Sequence, residues 1–103
     1  MTTANGPGRG QSTSQRVLRV AAVQMESKAG DKAANFATME AFVEEAAQQG
    51  VRLIVFPECC ITGYWFIRHL SQQELEGLAE PVFSGASSQR LIELAQKYSM
   101  SIG

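Results

Sequence analysis

Cysteine and histidine are scarce in this chain: its 103 residues hold two cysteines, Cys59 and Cys60, and one histidine, His69. Adjacent cysteines seldom reach disulfide geometry and cannot staple distant segments. With one histidine they do not complete a structural zinc set either, so no metal and no cofactor is expected. Long apolar runs are missing, and no stretch reaches the roughly 18 residues of a membrane-spanning helix. Charge of one sign is also lacking. Nine basic against ten acidic side chains leave a net charge of −1, without the basic stripe that nucleic-acid binding requires. Residues 1–16 contain no apolar stretch of the kind a secretory signal needs. Together with unstapled thiols, this sets the expectation of a reducing, cytoplasmic location. What is present is a 45% hydrophobic composition, enough for a globular domain or part of one. A chain this short buries only about 60–70% of its unfolded surface.

Residues 1–15, MTTANGPGRGQSTSQ, are polar and rich in Gly, Ser and Thr. They cannot bury enough surface to offset ordering entropy and are expected to be a flexible tail. Gly6, Gly8 and Gly10 imitate a dinucleotide loop, but no strand precedes them and the third glycine is misplaced. Order is expected from residue 16 onward. Residues 17–25 (VLRVAAVQM) read as a strand covered on both faces. Asp31 is placed to cap a helix over 32–49, in which Phe36, Met39, Phe42, Val43 and Ala46 share a face opposite Glu40, Glu44 and Glu45. Gly50 occupies the left-handed position that ends it. Residues 51–56 (VRLIVF) carry the strongest strand signal, and Pro57 ends the pairing. Ser71 and Glu74 form a capping box for a short helix over about 72–79, with Leu70 and Leu75 placed as its hydrophobic staple. A helix over 87–98 sets Leu91, Leu94, Ala95 and Tyr98 on one stripe, and residues 100–103 open a third strand. Strands alternating with helices in this order predict an α/β fold with a mostly parallel sheet.

Ligands of open α/β sheets bind beyond the carboxyl ends of the strands, and Glu58 follows the second strand at that edge. Burial at such an edge favours a carboxyl group's protonated form and makes a base usable near neutral pH. Position alone also suits a solvated or salt-bridged loop glutamate.

A wider pattern surrounds Glu58. Gln24 ends the first strand, Asn35 stands early in the helix, and Ala46, Ala47 and Gly50 mark its end. Phe56-Pro57-Glu58 and Thr62-Gly63-Tyr64 follow, then Leu78-Ala79-Glu80-Pro81 and the helix QRLIELAQKYSM. In order and spacing, residues 19–103 resemble the start of the nitrilase, or carbon–nitrogen hydrolase, superfamily. That resemblance implies an αββα sandwich, of which this chain holds the first part, residues 16–103. It further implies hydrolysis of a non-peptide carbon–nitrogen bond in a small amide, nitrile or carbamoyl compound by a Glu–Lys–Cys trio. Glu58 matches the general base. The family's lysine and cysteine lie downstream of the matched residues, so the chain is expected to be truncated and inactive alone. Homo-oligomers are expected only of a full-length protein. Lys97, on an amphipathic helix, does not match the trio's lysine.

Cys59 and Cys60 directly follow the base, whereas the family nucleophile comes from a later turn. They are expected to be small buried residues beneath the loop. Tyr64 and Trp65 either line a pocket mouth or anchor the core. Asn35 is expected to be a buried amide that needs partners and ties down the loop near Glu58. His69 has no acid or nucleophile beside it and reads as a surface residue. Leu53, Val55, Ile92 and Leu94 are expected to be incompletely covered, leaving the isolated chain loosely packed. Two other function classes compete. One is a flavodoxin-like or nucleotide-binding module, for which residues 26–30 lack the Walker spacing. The other is a thiol redox protein, for which the CxxC spacing is absent.

Overall fold

Apolar residues at every second position of short extended segments build the centre of the molecule. A computed structural model describes residues 2–4 and 16–103. Most of the expected tail, residues 1 and 5–15, lies outside the described residues. The strands are β1 (Thr2–Ala4), β2 (Val20–Ala22), β3 (Leu53–Val55) and β4 (Ser101–Ile102), in sheet order β1-β2-β3-β4. β2, β3 and β4 pair in parallel, with Ala21 opposite Ile54 and Ile54 opposite Ile102. β1 pairs antiparallel with β2, Thr3 opposite Ala21. Ladder bonds between main chains need no apolar pattern, so β1 leaves no mark in the sequence.

β2 and β3 are shorter than the apolar runs that contain them, yet their bonding continues past the strand ends. Arg52 N donates to Arg19 O at 2.9 Å, Val23 N to Val55 O at 2.9 Å and Phe56 N to Gly103 O at 2.8 Å. The expectation of strands covered on both faces meets only one side. Ala21, Val23, Ile54 and Phe56 are buried, whereas Ala22 and Val55 on the opposite face are exposed.

The buried face packs under helix α1 (Lys32–Gln48), whose Asn35, Phe36, Met39, Val43 and Ala46 are buried. Their spacing of three and four residues keeps them on one side. Asp31 Oδ1 accepts from Ala34 N at 3.0 Å and satisfies one free amide of the first turn. Gly50, at φ +75°, takes the left-handed position past the helix end.

Helix α2 (Tyr64–Ile67), one turn long, lies between β3 and the capping box, where the sequence pattern marks no element. α3 (Gln72–Leu78) has the expected capping box, with Glu74 N donating to Ser71 Oγ at 3.1 Å and Ser71 N to Glu74 Oε1 at 3.0 Å. Leu75 of the expected staple remains 40% exposed. α4 (Ala86–Tyr98) buries Leu94 and half-buries Leu91, Ala95 and Tyr98. Leu94 therefore departs from the expectation of incomplete cover, because it turns inward on the stripe facing α1. Val55 and Ile92 do stay exposed. The three parallel strands with helices packed on one face bear out the expected α/β class with its mostly parallel sheet.

Candidate active site

The carboxyl ends of β2 and β3 each run into a loop, and the two loops lie side by side. Residues 26–31 lead from β2 into α1. Residues 57–63 lead from β3 into α2. Glu58 is second in the latter loop, after Pro57, whose missing amide hydrogen ends the ladder.

Glu58 lines a crevice of about 480 Å³ between these loops and α2, together with Met25, Glu26, Pro57, Tyr64, Trp65 and Phe66. Its side chain is exposed in this chain. The expected partial desolvation is thus not present, because no described element covers that side of the crevice. The carboxylate is nonetheless at the crevice wall and at the carboxyl edge of the parallel strands.

Tyr64 and Trp65 settle into the first of their two readings. They are 43% and 70% exposed, so neither anchors the core. Their rings meet edge to face with centroids 5.6 Å apart, and the Arg68 guanidinium stands 4.7 Å from the Trp65 ring centroid. Both line the crevice rim.

Asn35 is 1% exposed and is the one polar side chain in the core among the described residues. Its Nδ2 donates to Lys28 O at 2.9 Å and to Ile61 O at 2.8 Å, while Oδ1 accepts from Lys28 N at 2.7 Å. The expected buried amide has therefore found its partners, one of them in the loop that carries Glu58. Gly30 and Phe66 show how closely the neighbouring parts approach. A Cβ on Gly30 would stand 2.9 Å from Phe66 Cε2, and the φ of +68° there suits glycine.

The two cysteines differ, which corrects their joint assignment to the interior. Cys60 is buried, its Sγ 3.7 Å from Met39 Sδ, and burial raises its thiol pKa. Cys59 is exposed and has φ +57°. The left-handed backbone at Cys59 turns the chain so that its carbonyl accepts from both Thr62 N and Gly63 N, at 3.3 and 2.7 Å. A tight turn cannot bury two successive side chains on one side, so one cysteine faces out. His69 is exposed just beyond α2, and Lys97 is exposed on α4 with its Nζ 5.2 Å from the Tyr98 ring centroid. Neither lines the Glu58 crevice. Among the described residues no three His, Cys, Asp or Glu side chains gather as a metal set, and no helix is long and apolar enough to cross a membrane.

Sequence reasoning missed Ser27. Its Oγ donates to Cys60 O at 2.9 Å. A serine in a polar loop carries no periodic signal, and its partner is 33 residues away.

A family model described as carbon-nitrogen hydrolase matches residues 19–103. A nitrilase of Pyrococcus abyssi is 30% identical over 80 residues, which cover 78% of this chain and 29% of that protein. A nitrilase of Paraburkholderia phymatum is 37% identical over 81 residues, 79% of this chain and 22% of its own length. An arylacetonitrilase of Macrophomina phaseolina is 47% identical over 47 residues, 46% of this chain and 14% of that protein. The chain thus spans under a third of the length of each of these relatives.

Proposed function

We propose, from the premise that this chain belongs to the carbon–nitrogen hydrolase family, that it supplies the general base of a hydrolase acting on a small nitrile, amide or carbamoyl compound. The observation that carries this reading is the placement of Glu58. It follows a central parallel strand and lines the crevice at the sheet's carboxyl edge, within the segment that matches the family.

In this reading Glu58 accepts the proton of a cysteine thiol as the sulfur attacks the substrate carbon. For an amide, the electron pair moves to the carbonyl oxygen, where a lysine ammonium stabilises the charge. Collapse expels ammonia, which takes up the proton, and leaves a thioester. Glu58 then accepts a proton from water as it attacks that thioester, giving a carboxylic acid and the free thiol. The thiol and the lysine come from outside residues 19–103. Cys59 and Cys60 are poor substitutes, since Cys60 is buried with a raised pKa and Cys59 follows the base directly. The sheet face bearing Ala22 and Val55, which no helix covers among the described residues, suits the second layer of an αββα sandwich.

The nucleotide-module alternative is disfavoured by the main chain after β2. Lys28 N, Gly30 N and Asp31 N donate to Asn35 Oδ1, Thr62 O and Lys28 O. Amides already bonded within the protein are not free to cradle phosphate.

Ammonia release from a panel of small nitriles, amides and carbamoyl compounds tests the proposal. The gene product that includes the lysine and cysteine is expected to turn over, and Glu58→Gln to reduce kcat at least about a hundredfold. Residues 1–103 alone are expected to release none. Turnover by those residues alone, or by Glu58→Gln at the wild-type rate, would overturn it.

A further inference from the structure

Three consecutive carbonyls follow the Cys59 turn, and donors in the β2–α1 loop and in the start of α1 bind each of them. Cys60 O accepts from Ser27 Oγ at 2.9 Å, Ile61 O from Asn35 Nδ2 at 2.8 Å and Thr62 O from Gly30 N at 2.8 Å. With Cys59 O taken by Thr62 N and Gly63 N, each of the four carbonyls from residue 59 to residue 62 has a donor. A surface loop ordinarily meets its carbonyls with water and moves accordingly. Here the donors are held from behind. Asn35 is locked by its other two bonds to Lys28 and by burial in α1, and Gly30 is fixed by the turn into that helix.

We infer that Ser27 and Asn35 are positioning residues for Glu58, holding the loop that carries it against the β2–α1 segment; this rests on Glu58 being the general base. Proton transfer demands a donor–acceptor distance within a few tenths of an ångström, so a loop that drifts loses rate even when the carboxylate is intact. Because Glu58 is exposed, its own surroundings do not fix it, and the order must come from the backbone beneath. Asn35 is buried away from the crevice, and Ser27, which also borders it, spends its hydroxyl proton on Cys60 O. They act through the carbonyls of residues 60 and 61.

The test uses the protein as its gene encodes it, with amide hydrogen exchange and nitrile or amide turnover as paired readouts. Ser27→Ala removes one of the three donors and leaves the core untouched. Asn35→Ala removes a second and frees Lys28 as well. Exchange at Gly30 and Gly63 is expected to rise at least about tenfold in each variant. In kinetics kcat is expected to fall at least about tenfold with KM within about twofold, and Ser27→Thr, which keeps the hydroxyl, to restore it. Wild-type exchange at both glycines in Ser27→Ala and Asn35→Ala would overturn the inference. So would a wild-type kcat in both while Glu58→Gln is inactive. A Glu58→Gln protein that stays active would instead overturn the assignment of the base.

Discussion

Lys32 Nζ lies 2.7 Å from Glu80 Oε2, an ion pair between residues 48 positions apart that ties the first turn of α1 to the link ahead of α4. Lys32 also donates to Leu78 O at 2.7 Å. The Glu80 carboxylate accepts from Ser87 N at 2.8 Å and Ser87 Oγ at 2.5 Å. Gly85, the N-cap residue of α4, has no side chain with which to satisfy the free amides there. Glu80 does this from outside the helix, so one carboxylate caps α4 and anchors α1.

That arrangement has a pH signature. The Lys32 bond, then those from Ser87, lower the Glu80 pKa from 4.5 to about 2. A carboxyl group held below its unfolded value contributes stability in full above that value and loses it as pH falls through the folded one. Urea midpoints are therefore expected to decline as pH drops from 4.5 toward 2. Glu74, lowered by its bonds to Ser71, adds a decline of the same sign. Glu80→Gln should flatten the slope relative to wild type, and an identical slope in both proteins would refute the assignment.

The vicinal thiols should separate in alkylation. Cys59 is exposed, whereas Cys60 is buried with its pKa raised chiefly by desolvation. Thiolate is the reactive species, so iodoacetamide near pH 8 is expected to label Cys59 at least about ten times faster than Cys60. Peptide mass spectrometry of timed samples measures this directly. Equal rates would mean that the loop opens and exposes both.

Neighbouring residues of β3 should differ sharply in stability measurements on this chain. Ile54 is fully buried under α1, and Ile54→Ala is expected to cost about 2–5 kcal/mol. Val55 is 46% exposed on the opposite face, and Val55→Ala is expected to change stability by no more than about 0.5 kcal/mol. Urea titration of the two variants decides. A large loss at Val55 would show that its face is covered in solution.

Much of this layout is legible from residue order. Asp31, Gly50 and the Ser71–Glu74 pair mark helix ends because caps act over three or four residues, within reach of local reading. The stripe from Phe36 to Ala46 marks the core side of α1 because helical period alone aligns it. α2 escapes such reading, since a single turn is too short for a period. The unequal fates of Cys59 and Cys60 also escape it, because they depend on a positive φ that no neighbouring glycine announces.

By itself, the order of residues determined the alternation of strand and helix, the caps, the buried amide at Asn35 and the position of Glu58 after its strand. These follow from periodicity, side-chain chemistry near helix ends and the run of an apolar strand into proline. Only the tertiary structure decided that residues 27, 30 and 35 meet the carbonyls of residues 60–62. It alone decided that Glu80 caps a helix it does not belong to and that Ala22 and Val55 stay exposed on the sheet face away from α1. Contacts between segments tens of residues apart depend on how strands pair and helices cross over, and no local pattern encodes that geometry.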